Sequence, residues 1–374
     1  MNKSIMIVAG EASGELYGAL LCQTLRELWP DIEIYGKGGS RMKQEGVELL
    51  ATISGSLGLT ETFSHLRRIK QSYDRLVRAM RQRRPDVLVL IDYPDFNIPL
   101  SRKAKSLGIP TLYYVSPTVW AWRKGRAKKI ARRVNAIALI FPFESDTYKP
   151  LGIEYQFVGH PVLDYHEKRY PPGSLTHQEA RKELGLDPDK KILALMPGSR
   201  KVEIEKLLTL LYDTARVLRK SHPELQFIMP VASDVIIDNK EPGIHYVKDK
   251  MGQVLMASDA AVITAGTALL EACFFNTPSV MIYKLSPLTY VLARMVLKVK
   301  YISHVNMILD KELIPELIQS EATVNNIVGA LEKVLWDNQY QLHMIESLKK
   351  VKGMFGSAGA SRKVARMAGK LAGW

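Results

Sequence analysis

Along the chain, short uninterrupted apolar runs alternate with longer segments in which apolar residues recur every three or four positions. The runs in "SIMIVA", "EIYGKGG", "DVLVLID", "TLYYVSP", "AIALIFP" and "YQFVGHP" predict strands. "VLVLI" is apolar without alternation, as expected of a strand covered on both faces. Between them the pattern predicts a helix from about Glu15 to Leu28 and a basic helix ending at Arg84. After the polar stretch "KRYPPGSLTH" the cycle restarts in "KKILALMPGSRKVEIEKLLTLL", with strand, turn and helix in the same order. "LQFIMPVA", "IHYVK", "DAAVITAG" and "PSVMIYK" predict further strands, and the C-terminal third reads as helical. This alternation predicts an α/β protein of two Rossmann-like doubly wound domains joined near residues 160–188. A ligand cleft is expected where the carboxyl ends of the two sheets face each other. The expected domains are 1–165 and 166–345, with 346–374 as a helix crossing back onto the first.

The chain is 374 residues long, enough for two cores, and its 47% hydrophobic and 24% charged content is that of an ordinary globular protein. Lys and Arg outnumber Asp and Glu by 52 to 38, which favours polyanionic partners. The excess is uneven: between residues 62 and 84 a dense run of Lys and Arg is opposed only by Asp74. Two distant cysteines, Cys22 and Cys273, form no disulfide framework, and no Cys/His cluster has zinc spacing. "KSIMIVAG" opens directly as a strand, and no run approaches the ~18 apolar residues of a membrane span. The expectation is a cytoplasmic protein, soluble or peripheral.

Four turns carry candidate chemistry. In "VAGEASGELYGALL", glycines 10, 14 and 18 are spaced too evenly for the dinucleotide fingerprint. Ser13 reads there as a helix N-cap, Gly14 as a point of close ligand approach, and Glu11 as an acid at the cleft mouth. In "LIDYPDFNIPL", Asp92 ends a buried strand, where α/β enzymes place working groups, and Asp95 and Asn97 follow within a turn. Asp92 is the best general-base candidate, although a strand-end Asp also forms turns and caps.

In "LMPGSRKVEIEKLL", Gly198, Ser199 and Arg200 aim backbone N–H groups, a hydroxyl and a guanidinium at one spot, as a phosphate site requires. In "VITAGTALLEACFF", Thr264, Gly266 and Thr267 form a second such turn. Glu271 lies one helical turn further on, amid apolar neighbours, where a ribose diol would account for it. Asn306 reads either as a satisfied loop amide or as a group reaching a nucleobase or sugar. His160, before a proline at a strand end, reads as a turn histidine or a ligand.

Taken together, "VAGEASGE", "DYPDFN", "YVSPTVWAWR", "GHP", "LMPGSRKVEIE", "TAGTALLEA" and the Asn of "SHVNMI" resemble the lipid-A-disaccharide synthase family, inverting glycosyltransferases of the GT-B type. The resemblance spans nearly the whole chain. It implies that UDP-2,3-diacylglucosamine donates its sugar to 2,3-diacylglucosamine 1-phosphate, giving a β-1,6 disaccharide and UDP. By it, Asp92 deprotonates the acceptor 6-hydroxyl, and Glu11 is the other catalytic candidate. Gly198, Ser199, Arg200, Gly266 and Thr267 hold the leaving diphosphate, Glu271 binds the ribose, and Asn306 lies near the donor. Ser13, Gly14, Asp95, Asn97, Trp120, Trp122 and Arg123 fall on the acceptor and lipid side. No metal or other cofactor is required, because helix N-termini and Arg neutralise the leaving group.

The same resemblance implies an anionic inner-membrane surface as partner, with a homodimer the assembly to test for. The family's apolar membrane segment is here the more polar "SGSLGLTETFSHLRRIK", in which Leu57, Leu59, Phe63 and Leu66 are the candidates for insertion. In "YYVSPTVWAWRKGRAKKIARR" the tryptophans suit a membrane interface or a sugar face, and the cations an anionic headgroup. A nucleic-acid binder would use the basic residues, but no recognised motif for one is present. A UDP-sugar epimerase of the same architecture is the nearer rival, since it needs the same phosphate turns.

Overall fold

The structure is a computed structural model, and it describes residues 3–53, 62–117, 125–171, 173–198, 201–232, 235–286, 290 and 300–374. Two compact units emerge: residues 1–168 with 355–374, and residues 169–354.

The first unit is built on seven strands: β1 (Ser4–Ala9), β2 (Glu33–Gly38), β3 (Glu48–Thr52), β4 (Val87–Ile91), β5 (Thr111–Tyr114), β6 (Ala136–Leu139) and β7 (Glu154–Phe157). All pairs are parallel, in the order β3-β2-β1-β4-β5-β6-β7. Every residue of β1, β4, β5 and β6 is buried, which explains their unbroken apolar runs. The second unit repeats the plan with β8 (Ile192–Met196), β9 (Gln226–Val231), β10 (Ile244–Lys248), β11 (Ala260–Thr264), β12 (Ser279–Tyr283) and β13 (Glu316–Ile318). Its order is β10-β9-β8-β11-β12-β13, again parallel throughout.

The repetition reaches single hydrogen bonds. Asp86, just before β4, accepts the N–H of Ser4 at 2.8 Å, and Asp259, just before β11, accepts that of Ile192 at 2.7 Å. Each acid pins the amino end of its unit's first strand, leaving the carboxyl end for chemistry. Asp259 is also paired with the buried Arg181 at 2.6 Å.

The helix Ala360–Ala372 belongs to the first unit, the expected crossing back, and packs on the helix Ala12–Leu28 and on β4 and β5. Asp164 grips its start: the N–H groups of Gly359, Ala360 and Ser361 donate to its carboxylate at 2.6, 3.1 and 2.7 Å. This satisfies donors that a helix start leaves open. Gly369 is the contact point further along, since a Cβ there would stand 2.7 Å from the Trp29 ring.

Candidate active site

In the first sheet the strand order reverses between β1 and β4, because the chain leaves β1 towards β2 and β4 towards β5. The two connections diverge above the carboxyl ends and open a crevice there. Ala9 pairs with Ile91, so Gly10–Glu11 and Asp92–Tyr93 are the next residues on neighbouring strands. The structure therefore brings Glu11 and Asp92 together, although many residues separate them in sequence.

The backbone at this edge is strained. Asp92, Tyr93 and Val115 all have left-handed φ, at 44°, 46° and 62°. For non-glycine residues this conformation costs about 1–2 kcal/mol each and persists only where the surroundings enforce it. Here the Asp92 N–H donates to Tyr114 O at 3.0 Å, while the Asp92 carbonyl accepts the Tyr113 hydroxyl at 2.7 Å. The Asn97 amide donates to the carbonyls of Asp92 and Ile91 at 2.8 and 3.1 Å. The Asp92 carboxylate is thus carried on a locked turn.

Two expectations for this edge are corrected. Asn97 is fully buried and spends its amide N–H groups on the strand end, so it positions Asp92 from beneath. Glu11, not Ser13, occupies the N-cap; the helix begins at Ala12, and Ser13 lies in its first turn. Gly10 packs tightly here, since a Cβ would stand 2.1 Å from the Tyr93 ring, whereas at Gly14 the nearest protein atom would be 3.5 Å away. Asp95 is exposed on the first turn of the helix Pro94–Ser106 and is ion-paired with Arg126. Trp120, Trp122 and Arg123 lie outside the described residues.

Burial pushes the Asp92 carboxyl up to about 7, the nearby charge of Glu11 adds to the rise, and the Tyr93 N–H opposes it. Sequence reasoning missed a second acid. Glu144, 1% exposed, takes the N–H groups of Ile140 and Phe141 on Oε2 at 3.0 and 2.9 Å, while Oε1 has no partner among the described residues. Burial raises its pKa to about 8 against the pull of those N–H groups, and the charge of Asp92 raises it further. Its only sequence signal is an acid shortly after a strand, which is common. His160 is buried among Tyr17, Phe141 and Phe355, and its Nδ1 accepts the Val162 N–H at 3.3 Å, so it serves as a turn and core residue.

In the second sheet the order reverses between β8 and β11, and the two predicted phosphate turns follow these two strands. Gly198 has φ 109°, and a Cβ there would come within 2.5 Å of Glu203 Oε2 and 3.0 Å of Thr264 Cγ2. Gly266, at φ 147°, is the N-cap of the helix Thr267–Phe274 and has open space around it. The hydroxyl of Thr264 is buried at this junction and has no hydrogen-bond partner among the described residues. Ser199 and Arg200 lie outside the described residues. Glu271 is 9% exposed on the same helix as Thr267.

Asn306 requires a correction. Its side chain is fully buried, donates to Ile314 O and Glu316 Oε1 at 2.7 and 2.8 Å, and accepts the N–H groups of Leu313 and Ile314 at 2.8 and 2.9 Å. Every hydrogen-bonding atom of the amide is spent on the protein, so the side chain staples the loop before β13. Among the described residues no group of three or more His, Cys, Asp or Glu side chains is disposed to hold a metal ion, and no helix is long and apolar enough to cross a membrane.

Two parallel α/β units, each with its turns at the reversal of strand order, define the GT-B class of nucleotide-sugar proteins. Solved structures of like fold include a UDP co-structure of MnaA from S. aureus, with TM-score 0.68 and 12% identity over 98% of this chain and 96% of that one. The calicheamicin glycosyltransferase CalG4 gives TM-score 0.63 and 13% identity over 100% and 99%. At such identities the likeness concerns fold alone. The family model described as lipid-A-disaccharide synthetase matches residues 5–365. The lipid-A-disaccharide synthase of Trichlorobacter lovleyi is 39% identical over 372 residues, covering 97% of this chain and 96% of that protein. That of Syntrophus aciditrophicus is 39% identical over 377 residues, covering 98% and 97%. The chain belongs to the lipid-A-disaccharide synthetase family: it is a glycosyltransferase of lipid A disaccharide synthesis, a reading the family match favours over an epimerase of the same fold.

Proposed function

We propose that this glycosyltransferase moves the 2,3-diacylglucosamine of its UDP-linked donor onto the 6-hydroxyl of 2,3-diacylglucosamine 1-phosphate. The acceptor oxygen attacks the anomeric carbon from the face opposite the diphosphate, and Asp92 takes the hydroxyl proton. The anomeric C–O bond breaks with its electron pair passing to the β-phosphate oxygen of UDP, so an α-linked donor gives a β-1,6 product. The observation that carries this reading is the Asp92 carboxylate, held on a locked, strained turn where the first sheet reverses its order. A carboxyl with a pKa near neutrality suits a general base, a role typically worth ~10²–10⁴-fold.

The donor nucleotide is assigned to the second unit. Gly198, Ser199, Arg200, Gly266 and Thr267 hold the diphosphate, and Glu271 the ribose. The unpartnered Thr264 hydroxyl supports a ligand at that junction, since a buried polar atom without a partner costs about 1–3 kcal/mol. Glu11 stays with Asp92 at the catalytic position, and Ser13, Gly14, Asp95, Trp120, Trp122 and Arg123 stay with the acceptor side.

The enzyme works at the cytoplasmic face of an anionic membrane, held chiefly by charge. On the helix Thr62–Arg83, Arg67, Arg68, Lys70, Arg75, Arg78 and Arg81 are exposed, and so is Leu66. Ile69, Tyr73 and Leu76 pack on the core and are withheld from lipid. Leu57 and Leu59 lie outside the described residues, as does the side chain of Phe63. Incubating radiolabelled donor with and without acceptor tests the assignment: label must pass into a disaccharide only when acceptor is present, and change of the donor alone would favour an epimerase.

A further inference from the structure

Among the described residues, the carboxyl edge of the first sheet carries a cation that the reaction as described does not use. Lys37, on β2, is 5% exposed, yet it makes no hydrogen bond or ion pair among the described residues. Its ammonium stands 5.1 Å from the centre of the Tyr93 ring and 5.4 Å from that of Phe96. Tyr93 follows Asp92 directly, and its ring lies over Gly10, so Lys37 belongs to the same strand-end cluster as the base. Glu15, whose carboxylate lies against Gly39 close by in sequence, is turned to the Arg41 N–H at 2.8 Å.

The backbone is shaped to present this side chain. Gly36 pairs with Leu49 on β3 and Lys37 with Ala51, so the register slips by one residue between them. Gly36 sits at φ 153° with Ile7 O where a Cβ would be, so no other residue fits beside the slip. Bulges are rare in parallel pairs, and beside active sites they re-aim a side chain. A largely buried lysine with no counter-charge among the described residues is costly, and its desolvation lowers the Lys37 pKa to about 8. An incoming anion would restore the full charge.

We propose that Lys37 binds the phosphate of the acceptor and makes the enzyme select a phosphorylated sugar over its dephosphorylated form. This rests on the acceptor assignment made above. Aromatic faces on one side and an anion on the other give the ammonium a complete set of neighbours.

The test compares wild type with Lys37→Met, which keeps the stem's bulk, and Lys37→Arg, which keeps the charge. Each is assayed with 2,3-diacylglucosamine 1-phosphate and with the same lipid lacking phosphate. Lys37→Met should raise KM for the phosphorylated acceptor ~10–100-fold, with kcat changed less than about threefold. The dephosphorylated acceptor should be unaffected, and Lys37→Arg should recover part of the loss. Direct binding of each acceptor by calorimetry needs no turnover, so Lys37-dependent binding of the phosphorylated lipid would stand even if transfer failed. UDP affinity serves as the check on folding, with Lys37→Gln as a second variant. Equal losses for both acceptors, or no loss for either, would overturn the proposal.

Discussion

Thr264 presses its methyl group against Gly198, so closely that a Cβ on the glycine would stand 3.0 Å from it, while its buried hydroxyl has no hydrogen-bond partner among the described residues. Thr264 ends β11 and Gly198 lies two residues past the end of the neighbouring β8, so the two phosphate turns come into contact. Thr264→Val keeps the shape and removes the orphan hydroxyl. It should leave thermal stability unchanged or raised, because a buried unsatisfied group is lost. UDP affinity measured by calorimetry should fall roughly tenfold, the weight of one hydrogen bond to a charged group. Unchanged affinity would remove Thr264 from the donor site.

Asp92→Asn should lower kcat at least ~100-fold and leave UDP binding intact. In the wild type, kcat/KM should rise with pH through a midpoint near 7, because the base works only when ionised. Glu11→Gln removes a negative neighbour, which favours the ionised base and moves that midpoint to lower pH. Glu11 is exposed, so the move is small and shrinks in salt. A midpoint that stays put in Glu11→Gln would show that burial alone sets it.

Glu144 gives a pH signature in stability. Between its ordinary value of 4.5 and its folded value of about 8, the unfolded chain releases a proton that the folded protein retains. Stability is full below this window and declines as pH rises through it, by on the order of a few kcal/mol. Glu144→Gln still accepts the N–H groups of Ile140 and Phe141 but does not titrate. Its melting temperature relative to wild type should therefore climb from pH 5 to pH 8. A constant difference across that range would mean that the acid is ionised when folded.

Sedimentation with vesicles tests the membrane reading. Basic side chains at an anionic surface contribute about 1 kcal/mol each and are screened within ~8–10 Å at physiological salt. Binding to anionic vesicles should drop steeply as salt is added, and neutral vesicles should bind weakly. Replacing Arg67, Arg68 and Lys70 by glutamine should weaken the salt-sensitive part. Equal, salt-insensitive binding to both lipids would put apolar insertion first.

The central strands were legible because burial on both faces leaves an unbroken apolar run, as in "VLVLI" and "SIMIVA". The edge strands β3 and β13 were not: they are short and half-exposed, so "ELLAT" and "ELI" carry no such run. Asp92 could be read because a strand end is a position in sequence as well as in space. Glu144 and Lys37 could not, because what sets them apart is burial by segments distant along the chain. Asn306 stayed open between two readings for the converse reason. A polar residue in an apolar run signals burial, but the sequence does not say whether ligand or protein meets the amide, and here the loop at 313–314 and Glu316 do.

The grip of Asp164 on the helix Ala360–Ala372 sets an order of events during synthesis. That helix covers part of β4, β5 and the helix Ala12–Leu28, yet the ribosome makes it only after the entire second unit. The nascent first unit must wait with that apolar face bare while the second has all it needs to fold. Exposed surface of this kind invites association with chaperones or with other nascent chains. Shortening the chain before Gly359 should therefore leave a protein whose first half is a chaperone client and whose second half still folds.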